Sequence, residues 1–427
     1  MNQYPNTYHQ LYTGNALDVL KTLPENSIHC CITSPPYWGI RDYSIEPSLW
    51  DGDSTCKHEW NVSRAIPPTN NAKYGGDNRN ICVKVAGNGR APEAYHCTKC
   101  NGWLGCLGFE ATVSKYVDHL TQILDEVKRV LRKDGTLWLV LGDCYAGSGG
   151  PGGDFRDGKK GDTYLRSYNR NTEGLKPKDL VGVPWRVALA LQEKGWYLRK
   201  DIIWSKPSSV PDPVHDRPTS SHEYIFLLSK APIYFFDIYA YSTTTKPGSI
   251  RRGQSVYNSR KAKEINTLTH RKSLPIGIRI PKPYSNLRSV WTIQPSCIND
   301  AHPAPFPSAL VLPCLQAATS EYGCCTICTT QYKREVILGK NELFIPSKIS
   351  FKWHKQCQCD TEILCKPIVL DPFGGAGTVS IVAKGLGINS IYIDASKEYT
   401  QLTYKRLNDG NIFNDTQIKL MENYITQ

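Results

Sequence analysis

The sequence contains no apolar run that approaches the roughly 18 consecutive residues needed by a membrane-spanning helix. Its first residues also lack the basic and then apolar pattern of a secretory signal, so we expect a cytoplasmic protein. In that reducing compartment the 16 cysteines, too sparse for a disulfide scaffold, are expected to be metal ligands and core residues. With 40% hydrophobic and 21% charged residues, the composition excludes membrane, disulfide-scaffold and disordered classes.

Acidic residues are scarce relative to basic ones: 39 Asp and Glu stand against 51 Lys and Arg, a net charge of +12 that favours a polyanionic partner. Between residues 241 and 290, eleven basic residues face Glu264 alone, a net +10. Basic residues interleaved with tyrosines and small polar residues are typical of a surface that follows phosphates, although a solvated basic loop has the same composition. The candidate phosphate contacts are Arg251, Arg252, Arg260, Lys261, Lys263, Arg271 and Lys272.

Two groups of soft ligands have the spacing of structural zinc sites. The first group is Cys56, His58, Cys97 and Cys100, and the second is Cys325, Cys328, Cys357 and Cys359. In each, a close pair is followed after a loop by a second close pair, and four protein ligands leave no open position for catalysis. In the second group Cys324 is an alternative to Cys325, and Cys314 and Cys365 compete. Unconnected buried thiols are the alternative for both groups.

Short β-branched or aromatic runs alternate with helical periodicity along the chain. The runs lie at 28–33, 136–141, 198–204, 223–228, 368–370 and 390–393, and apolar spacing predicts helices at 113–131 and 183–193. This alternation predicts an α/β protein with an open sheet and helices on both faces. The charges and glycines of the stretch 147–161 predict a mobile loop. It is not predicted to bind phosphate, because it lacks the Gly-Lys-Ser/Thr ending of a phosphate-binding loop.

A predicted buried strand runs into the glycine-rich turn Asp371-Pro372-Phe373-Gly374-Gly375-Ala376-Gly377-Thr378. Glycines let a backbone turn tightly against a ligand, and the next predicted strand ends in Asp394, an acid placed to bind a ribose diol. The turn opens with Asp-Pro-Phe instead of the dinucleotide fingerprint, so we do not expect a nicotinamide cofactor.

The predicted strand at 28–33 leads into the second motif, Ser34-Pro35-Pro36-Tyr37-Trp38. Its two prolines stiffen a loop that presents a hydroxyl, backbone carbonyls and two aromatic rings beyond a strand end. Hydrogen bonds from an exocyclic nucleobase amine to Ser34 and to the Pro35 carbonyl would make the nitrogen more tetrahedral and nucleophilic. Tyr37, or as second choice Trp38, can stack on the base. A proline-rich turn with its aromatic residues in the core is the alternative.

With these two motifs in this order, the sequence resembles the β class of amino-methylating DNA methyltransferases. The resemblance implies a doubly wound, mostly parallel seven-stranded sheet and S-adenosylmethionine as cofactor. It extends to 11–24, 134–143, 201–207, 216–223 and 302–307. The implied catalytic residues are Ser34, Pro35, Pro36, Tyr37 and Trp38. The implied cofactor residues are Asp371, Pro372, Phe373, Gly374, Gly375, Gly377, Thr378, Asp394, Asn15 and Phe306.

Three positions depart from the pattern of the family. Asn15 stands where many relatives carry Asp, Ala376 replaces a common Ser, and Asp394 replaces a common Glu. None of them removes a group that the chemistry needs. The two groups of candidate zinc ligands resemble insertions in a subset of relatives. The basic segment falls where the family has its DNA-recognition region.

The resemblance implies transfer of the methyl group of S-adenosylmethionine to an amino nitrogen of a base flipped out of duplex DNA. Ser34 favours N4 of cytosine, with N6 of adenine as the alternative. RNA or protein methylation, and an inactive zinc-containing DNA-binding protein, are the competing hypotheses. A cognate restriction endonuclease is a candidate partner.

We expect one core interrupted by insertions instead of domains in series. The catalytic half spans 1–240, with a zinc insertion at about 53–108 and a mobile loop at about 146–175. A recognition segment at 241–294 follows. The cofactor-binding half spans 295–427, with the second zinc knuckle at about 314–366.

Overall fold

The computed structural model describes residues 7–39, 43, 45–53, 55–63, 94–146, 174–176, 178–209, 216–240, 243–244, 284–295, 306–340 and 346–409. The glycine-rich stretch at 147–161 and the seven candidate phosphate contacts lie outside the described residues. Within them the predicted α/β class is confirmed, with helices on both faces of a mostly parallel sheet.

The strands in the described ranges are β1 (His9–Thr13), β2 (Ile28–Thr33), β3 (Ser48–Trp50), β4 (Trp60–Ser63), β5 (Ala94–Cys97), β6 (Trp103–Gly105), β7 (Leu131–Leu141), β8 (Tyr197–Ser205), β9 (His222–Ser229), β10 (Thr243–Thr244), β11 (Tyr284–Ser285), β12 (Val290–Thr292), β13 (Cys324–Cys325), β14 (Lys333–Lys340), β15 (Pro346–His354), β16 (Leu364–Cys365), β17 (Ile368–Asp371) and β18 (Asn389–Asp394). The helices there are α1 (Ala16–Thr22), α2 (Val113–Val130), α3 (Val183–Glu193), α4 (Ser308–Ala318), α5 (Thr378–Gly385) and α6 (Lys397–Asn408).

The main sheet has the strand order β1-β18-β17-β2-β7-β9-β8-β12. Only β9 runs antiparallel to its neighbours β7 and β8; the other pairs are parallel. The two strands that lead into the sequence motifs, β2 and β17, are direct neighbours, with Cys30 opposite Val369 and Cys31 opposite Leu370. Because parallel strands end at the same edge, both motifs meet there.

The sheet has one strand more than the seven expected. The additional strand, β12, lies at the edge and pairs in parallel with β8, Trp291 lying opposite Trp204. Its three residues are too few to form a recognisable alternating pattern. The remaining order follows the predicted doubly wound arrangement.

Hydrophobic residues pack on both faces of the sheet. On one face, α1, α2 and α3 bury residues such as Leu20, Leu120 and Leu191 against Cys31 and neighbouring strand residues. On the other face, α4 and α5 bury a second set against Cys30 and Ile32. Successive residues of β2 therefore point to opposite faces, so a central strand buried on both sides reads as a continuous apolar run.

Two groups of strands lie outside the main sheet. The first insertion forms the four-stranded antiparallel sheet β3-β6-β5-β4, and the second forms the hairpin β14–β15 beside the pair β13–β16. These are the regions in which the sequence placed the two ligand groups. In the described part of the chain, no helix has both the length and the hydropathy needed to cross a membrane.

Candidate active site and metal centres

The two motifs are joined by a hydrogen bond between buried residues at the sheet edge. Thr33 Oγ1 donates to Asp371 Oδ1 at 2.7 Å, and the Phe373 N–H donates to the same oxygen at 3.2 Å. The second oxygen, Asp371 Oδ2, is buried and has no hydrogen-bond partner among the described residues. Burial raises the pKa of Asp371 to about 7. A buried acceptor without a hydrogen bond destabilises the fold unless a ligand donates to it. The ammonium group of an amino-acid-like ligand is a suitable donor.

The glycine-rich turn fits closely against β18 and α6. A Cβ on Gly374 would lie 2.1 Å from the Tyr392 ring, and one on Gly377, which has a φ of +76°, would lie 2.3 Å from Thr403. No larger residue fits at either position without movement of its neighbours. The Tyr392 hydroxyl also donates to the Gly375 carbonyl at 2.8 Å. The close packing gives both glycines a structural reason independent of ligand binding.

Asp394 holds the glycine turn in place. Its Oδ2 accepts the Gly375 N–H at 2.8 Å, and its Oδ1 accepts the Ser396 N–H at 2.8 Å near the start of α6. Burial raises the pKa of Asp394. Each oxygen keeps a second lone pair, so the predicted contact with a ribose diol stays compatible with this anchoring role. No sequence motif indicates this anchoring role.

Asn15 lies beside Asp394 at the end of β1, where the Gly14 N–H donates to the Asp394 carbonyl at 2.8 Å. Its side chain caps α1 by accepting the Leu17 N–H at 2.8 Å and donates to Ser48 Oγ at 2.8 Å. Phe306 is half-buried just before α4, on the face of the main sheet that α4 and α5 cover. The described structure thus gives Asn15 a capping role, while its implied role in cofactor binding stays a prediction.

The loop after β2 contains an ordered chain of polar groups. Ser34 Oγ donates to Tyr37 Oη at 3.1 Å, and Tyr37 Oη donates to Glu223 Oε2 at 2.8 Å. The other oxygen, Glu223 Oε1, forms an ion pair with Lys206. Burial and the nearby Glu223 carboxylate raise the pKa of Tyr37 well above its usual value, so its hydroxyl stays protonated. Glu223 and Lys206 lie in stretches to which the family resemblance extends, 216–223 and 201–207, but the sequence assigned no role to either residue.

The Tyr37 ring packs against the backbone of Gly142, at the end of β7. A Cβ at position 142 would lie 2.7 Å from Tyr37 Cε2. The loop is held further by the Tyr116 hydroxyl, which donates to the Pro36 carbonyl at 2.8 Å, and by the Gly39 N–H, which donates to the Gly108 carbonyl at 2.7 Å. Tyr37 is only half-buried, so its predicted stacking on a base is compatible with this position.

Trp38 is a core residue, and its prediction as an alternative stacking partner is wrong. Its side chain is 1% exposed, and its Nε1–H donates to the Glu110 carbonyl at 3.0 Å. For this residue the alternative of an aromatic side chain in the core is correct. Cys30 and Cys31 are fully buried as well, and burial raises the pKa of Cys30 to about 12, which disfavours a thiolate nucleophile there.

A buried ionic network joins the first insertion to the Ser34–Trp38 loop. His119 and Glu110 are each 1% exposed, and His119 Nδ1 lies 3.0 Å from Glu110 Oε1 while Nε2 lies 3.1 Å from Asp51 Oδ2. The rings of Trp50 and Trp103 stack on His119. Burial alone would lower the pKa of His119, but the two carboxylates raise it. Because the Glu110 carbonyl also binds Trp38, this network supports the loop.

The four ligands predicted for the first metal site meet at one point. The ligand atoms of Cys56, His58, Cys97 and Cys100 all lie within 4.8 Å of one another. Zinc–sulfur bonds of about 2.3 Å in a tetrahedron place sulfurs about 3.8 Å apart. The Sγ atoms of Cys56 and Cys97 are 3.9 Å apart, which matches that spacing.

The second predicted set also converges, since the sulfurs of Cys325, Cys328, Cys357 and Cys359 lie within 4.8 Å of one another. The structure distinguishes Cys325 from Cys324, whose Sγ instead lies 3.4 Å from His29 Nε2. The other two competitors are outside the group, because Cys365 Sγ donates to the Cys325 carbonyl and Cys314 is buried within α4.

His29 connects this second site to the central sheet. Its Nδ1 accepts the Ile368 N–H at 3.0 Å, so its Nε2–H is the donor to the Thr329 carbonyl at 2.9 Å. Burial lowers the pKa of His29 to about 4, consistent with a neutral ring. The second insertion is therefore hydrogen-bonded directly to β2 and β17 through His29.

Comparison with known proteins assigns the class. The N6/N4 methyltransferase family, described as DNA methylase, matches residues 28–405. The type II methyltransferase M.Cfr9I of Citrobacter freundii is 30% identical over 399 residues, covering 93% of this chain and 87% of the relative. M.SmaI of Serratia marcescens is also 30% identical over 399 residues, covering 93% and 90%. The solved PvuII DNA methyltransferase (cytosine-N4-specific) matches with a TM-score of 0.46 and 16% identity, covering 100% of this chain and 96% of that chain.

The fold, the motif order and the family match define an amino-methylating DNA methyltransferase that depends on S-adenosylmethionine. The chain belongs to the N6/N4 DNA methylase family. This confirms the expected fold class, reaction class, cofactor and DNA substrate, and it decides against the RNA and protein alternatives.

Proposed function

We propose that the protein methylates the N4 amino group of a cytosine flipped out of duplex DNA. The observation that supports this proposal is the hydrogen bond that the Ser34 hydroxyl donates to Tyr37. Its proton is donated to Tyr37, so its remaining lone pairs can accept an N–H from the target amine. A serine acceptor at this position, in place of an acid or amide, favours cytosine in the family resemblance.

The cofactor supplies an electrophilic methyl group when bound, and the residues of the glycine-rich turn fit it. Asp371 Oδ2, which has no hydrogen-bond partner among the described residues, is suited to its ammonium group, and the second lone pairs of Asp394 are suited to its ribose. Both acids lie at adjacent strand ends, β17 and β18, close to the end of β2. We propose that the other cofactor-binding residues are Pro372, Phe373, Gly374, Gly375, Gly377, Thr378, Asn15 and Phe306.

The Ser34–Tyr37 loop then positions the base. Ser34 Oγ and the Pro35 carbonyl accept from the amine, while the Tyr37 ring, fixed on one side by Gly142, stacks on the flipped base. No covalent enzyme intermediate is required, so most of the rate comes from positioning. Flipping costs a few kcal/mol, which stacking and edge hydrogen bonds offset.

We propose one structural zinc ion in each cysteine group. Each provides four soft ligand atoms within 4.8 Å and no open coordination position, the donor set of a structural site. The proposed organisation along the chain is a catalytic half at 1–240, a DNA-recognition segment at 241–294 and a cofactor-binding half at 295–427. In the recognition segment, the seven residues from Arg251 to Lys272 named above contact DNA phosphates.

We also propose that the enzyme acts in the cytoplasm together with a cognate restriction endonuclease, which is supported by the naming of its relatives as type II methyltransferases. Host extract should cleave unmodified DNA but spare DNA that the enzyme has methylated. Equal cleavage of both would contradict this pairing.

The N4 proposal is tested by the product. Unmodified duplex DNA is incubated with methyl-labelled S-adenosylmethionine, digested to nucleosides and analysed by mass spectrometry. N4-methylcytosine supports the proposal. N6-methyladenine alone would refute it in favour of the alternative within the same family.

A further inference from the structure

The hydrogen-bond chain at the catalytic loop has one possible direction. The Glu223 carboxylate, ion-paired with Lys206, can only accept hydrogen bonds. Tyr37 must therefore donate its proton to Glu223 Oε2, and its oxygen is left as the acceptor for Ser34. The charge at Glu223, 186 positions from Tyr37 in the sequence, thus determines that Ser34 presents lone pairs and not a proton to the target amine.

We propose that Ser34, Tyr37 and Glu223 form the relay that removes the proton of the target amine. The inference rests on the proposed methyl transfer to an amine and holds for either base. As the new N–C bond forms and the S–C bond of the donor breaks, the nitrogen keeps the N–H electron pair. The amine proton moves to Ser34 Oγ, the Ser34 proton moves to Tyr37 Oη, and the Tyr37 proton moves to Glu223 Oε2.

The charges balance along this path. The sulfonium loses its positive charge as it becomes a thioether, the base stays neutral, and the negative charge of Glu223 is neutralised. Lys206 keeps its charge throughout and holds the carboxylate in position. The Glu223 side chain is 18% exposed, which lets its proton pass to solvent before the next turnover.

The environment of Tyr37 fits a concerted relay, in which Tyr37 gives its own proton to Glu223 as it receives the proton of Ser34. The phenol is held by Gly142 on its ring and by two hydrogen bonds at its hydroxyl. Burial and Glu223 raise its pKa, so it does not persist as a phenolate. Tyr37 therefore has two separable functions, stacking through its ring and proton transfer through its hydroxyl. Glu223 acts through Tyr37 and is a positioning residue.

Tyr37→Phe separates these functions, because it keeps the ring and removes the hydroxyl. Single-turnover methyl transfer from a preformed enzyme–cofactor–DNA complex should fall at least tenfold, within the usual range of a lost acid–base group. The Kd values for S-adenosylmethionine and DNA should stay within twofold of wild type. Tyr404→Phe, which removes an exposed hydroxyl, is the matched control and should retain the wild-type rate.

Glu223→Gln should cause a similar loss, with Glu193→Gln on the exposed end of α3 as its control. Because the three groups act as a unit, the Tyr37→Phe/Glu223→Gln double variant should be no slower than the slower single variant. Losing a merely structural contact would instead weaken Kd or give additive losses.

The outcomes are distinct. Tenfold losses with unchanged Kd values and a non-additive double variant support the relay. Rates within twofold of wild type for either single variant, additive losses, or losses explained by Kd overturn it. If the wild-type enzyme itself methylates no amino group, the proposed function fails, whereas an active wild type with active variants refutes only the relay.

Discussion

Thr33 and Asp371 lie 338 positions apart in the sequence, yet the Thr33 hydroxyl donates to the Asp371 carboxyl at 2.7 Å. The contact connects the end of β2 to the end of β17, the two strands that lead into the sequence motifs. It leaves the second Asp371 oxygen buried without a partner in the described structure. From this arrangement we expect that replacing Asp371 weakens cofactor binding. We also expect that cofactor affinity and protein stability depend on pH through this carboxyl group.

Asp371→Asn should weaken S-adenosylmethionine binding at least tenfold at pH 8, because a charge-assisted hydrogen bond to the ammonium group is lost. In the wild type, affinity should increase as pH rises through about 7, where the buried carboxyl ionises. Calorimetric titrations at pH 6 and pH 8 check both effects. Wild-type affinity in the variant, or a pH-independent Kd in the wild type, would contradict the assignment.

The same group affects the stability of the cofactor-free protein. Its pKa is higher in the folded than in the unfolded chain, so ionisation favours unfolding. The displacement from 3.8 to about 7 corresponds to at most about 4 kcal/mol, lost as pH rises from about 4 to 7. Urea unfolding should show this decline in the wild type and a smaller one in Asp371→Asn. Identical pH profiles would exclude it.

His119→Ala should destabilise the protein by about 3–5 kcal/mol, because it leaves Glu110 buried without its partner. The raised pKa of His119 predicts a stabilisation that is complete below pH 6.5 and is lost as pH rises through the folded-state pKa. Chemical unfolding at pH 6 and pH 9 should show that loss in the wild type but not in His119→Gln. The Glu110→Gln/His119→Gln double variant, which buries no unpaired charge, should be more stable than His119→Ala.

Metal analysis of the purified protein should find about two zinc ions per chain. Cys100→Ser and Cys328→Ser should each reduce the count to one, since each removes one ligand from a single group. Cys144→Ser, outside both groups, is the matched control and should retain both ions. A zinc-free wild type, or full zinc in the ligand variants, would refute the structural sites.

Replacing Arg251 and Arg252 by alanine should lower DNA affinity and reduce the slope of log K against log salt by nearly two, about 0.9 per lost phosphate contact. Replacing Arg199 and Lys200, which lie outside the recognition segment, should leave the slope unchanged. Fluorescence anisotropy over a salt series measures both. An unaltered slope in the Arg251/Arg252 variant would show that these residues do not contact phosphates.

The sequence predicted the α/β class, the two motifs at strand ends and the two groups of soft ligand atoms that converge in the structure, because each depends on local spacing. It could not choose between Cys324 and Cys325, since neighbouring residues of a strand point in opposite directions. Only the fold shows that Cys325 faces the other three thiols and that Cys324 faces His29.

The sequence also left the surroundings of the catalytic loop open. The sequence did not show that Trp38 lies in the core, where it donates to the carbonyl of Glu110, a residue 72 positions away that follows the first insertion. The partner of the Tyr37 hydroxyl comes from the start of β9. Such contacts depend on the strand order and on how the insertions pack, neither of which is encoded in local spacing.

The identity of the methylated nucleoside shows directly which amino group the enzyme modifies. Duplex DNA, labelled S-adenosylmethionine and the wild-type enzyme are compared with Ser34→Ala, which removes the proposed amine acceptor but keeps the Tyr37 ring. We expect N4-methylcytosine with the wild type and at least a tenfold lower rate with Ser34→Ala at unchanged cofactor affinity. Methylation confined to adenine N6, or an undiminished rate in Ser34→Ala, would contradict it.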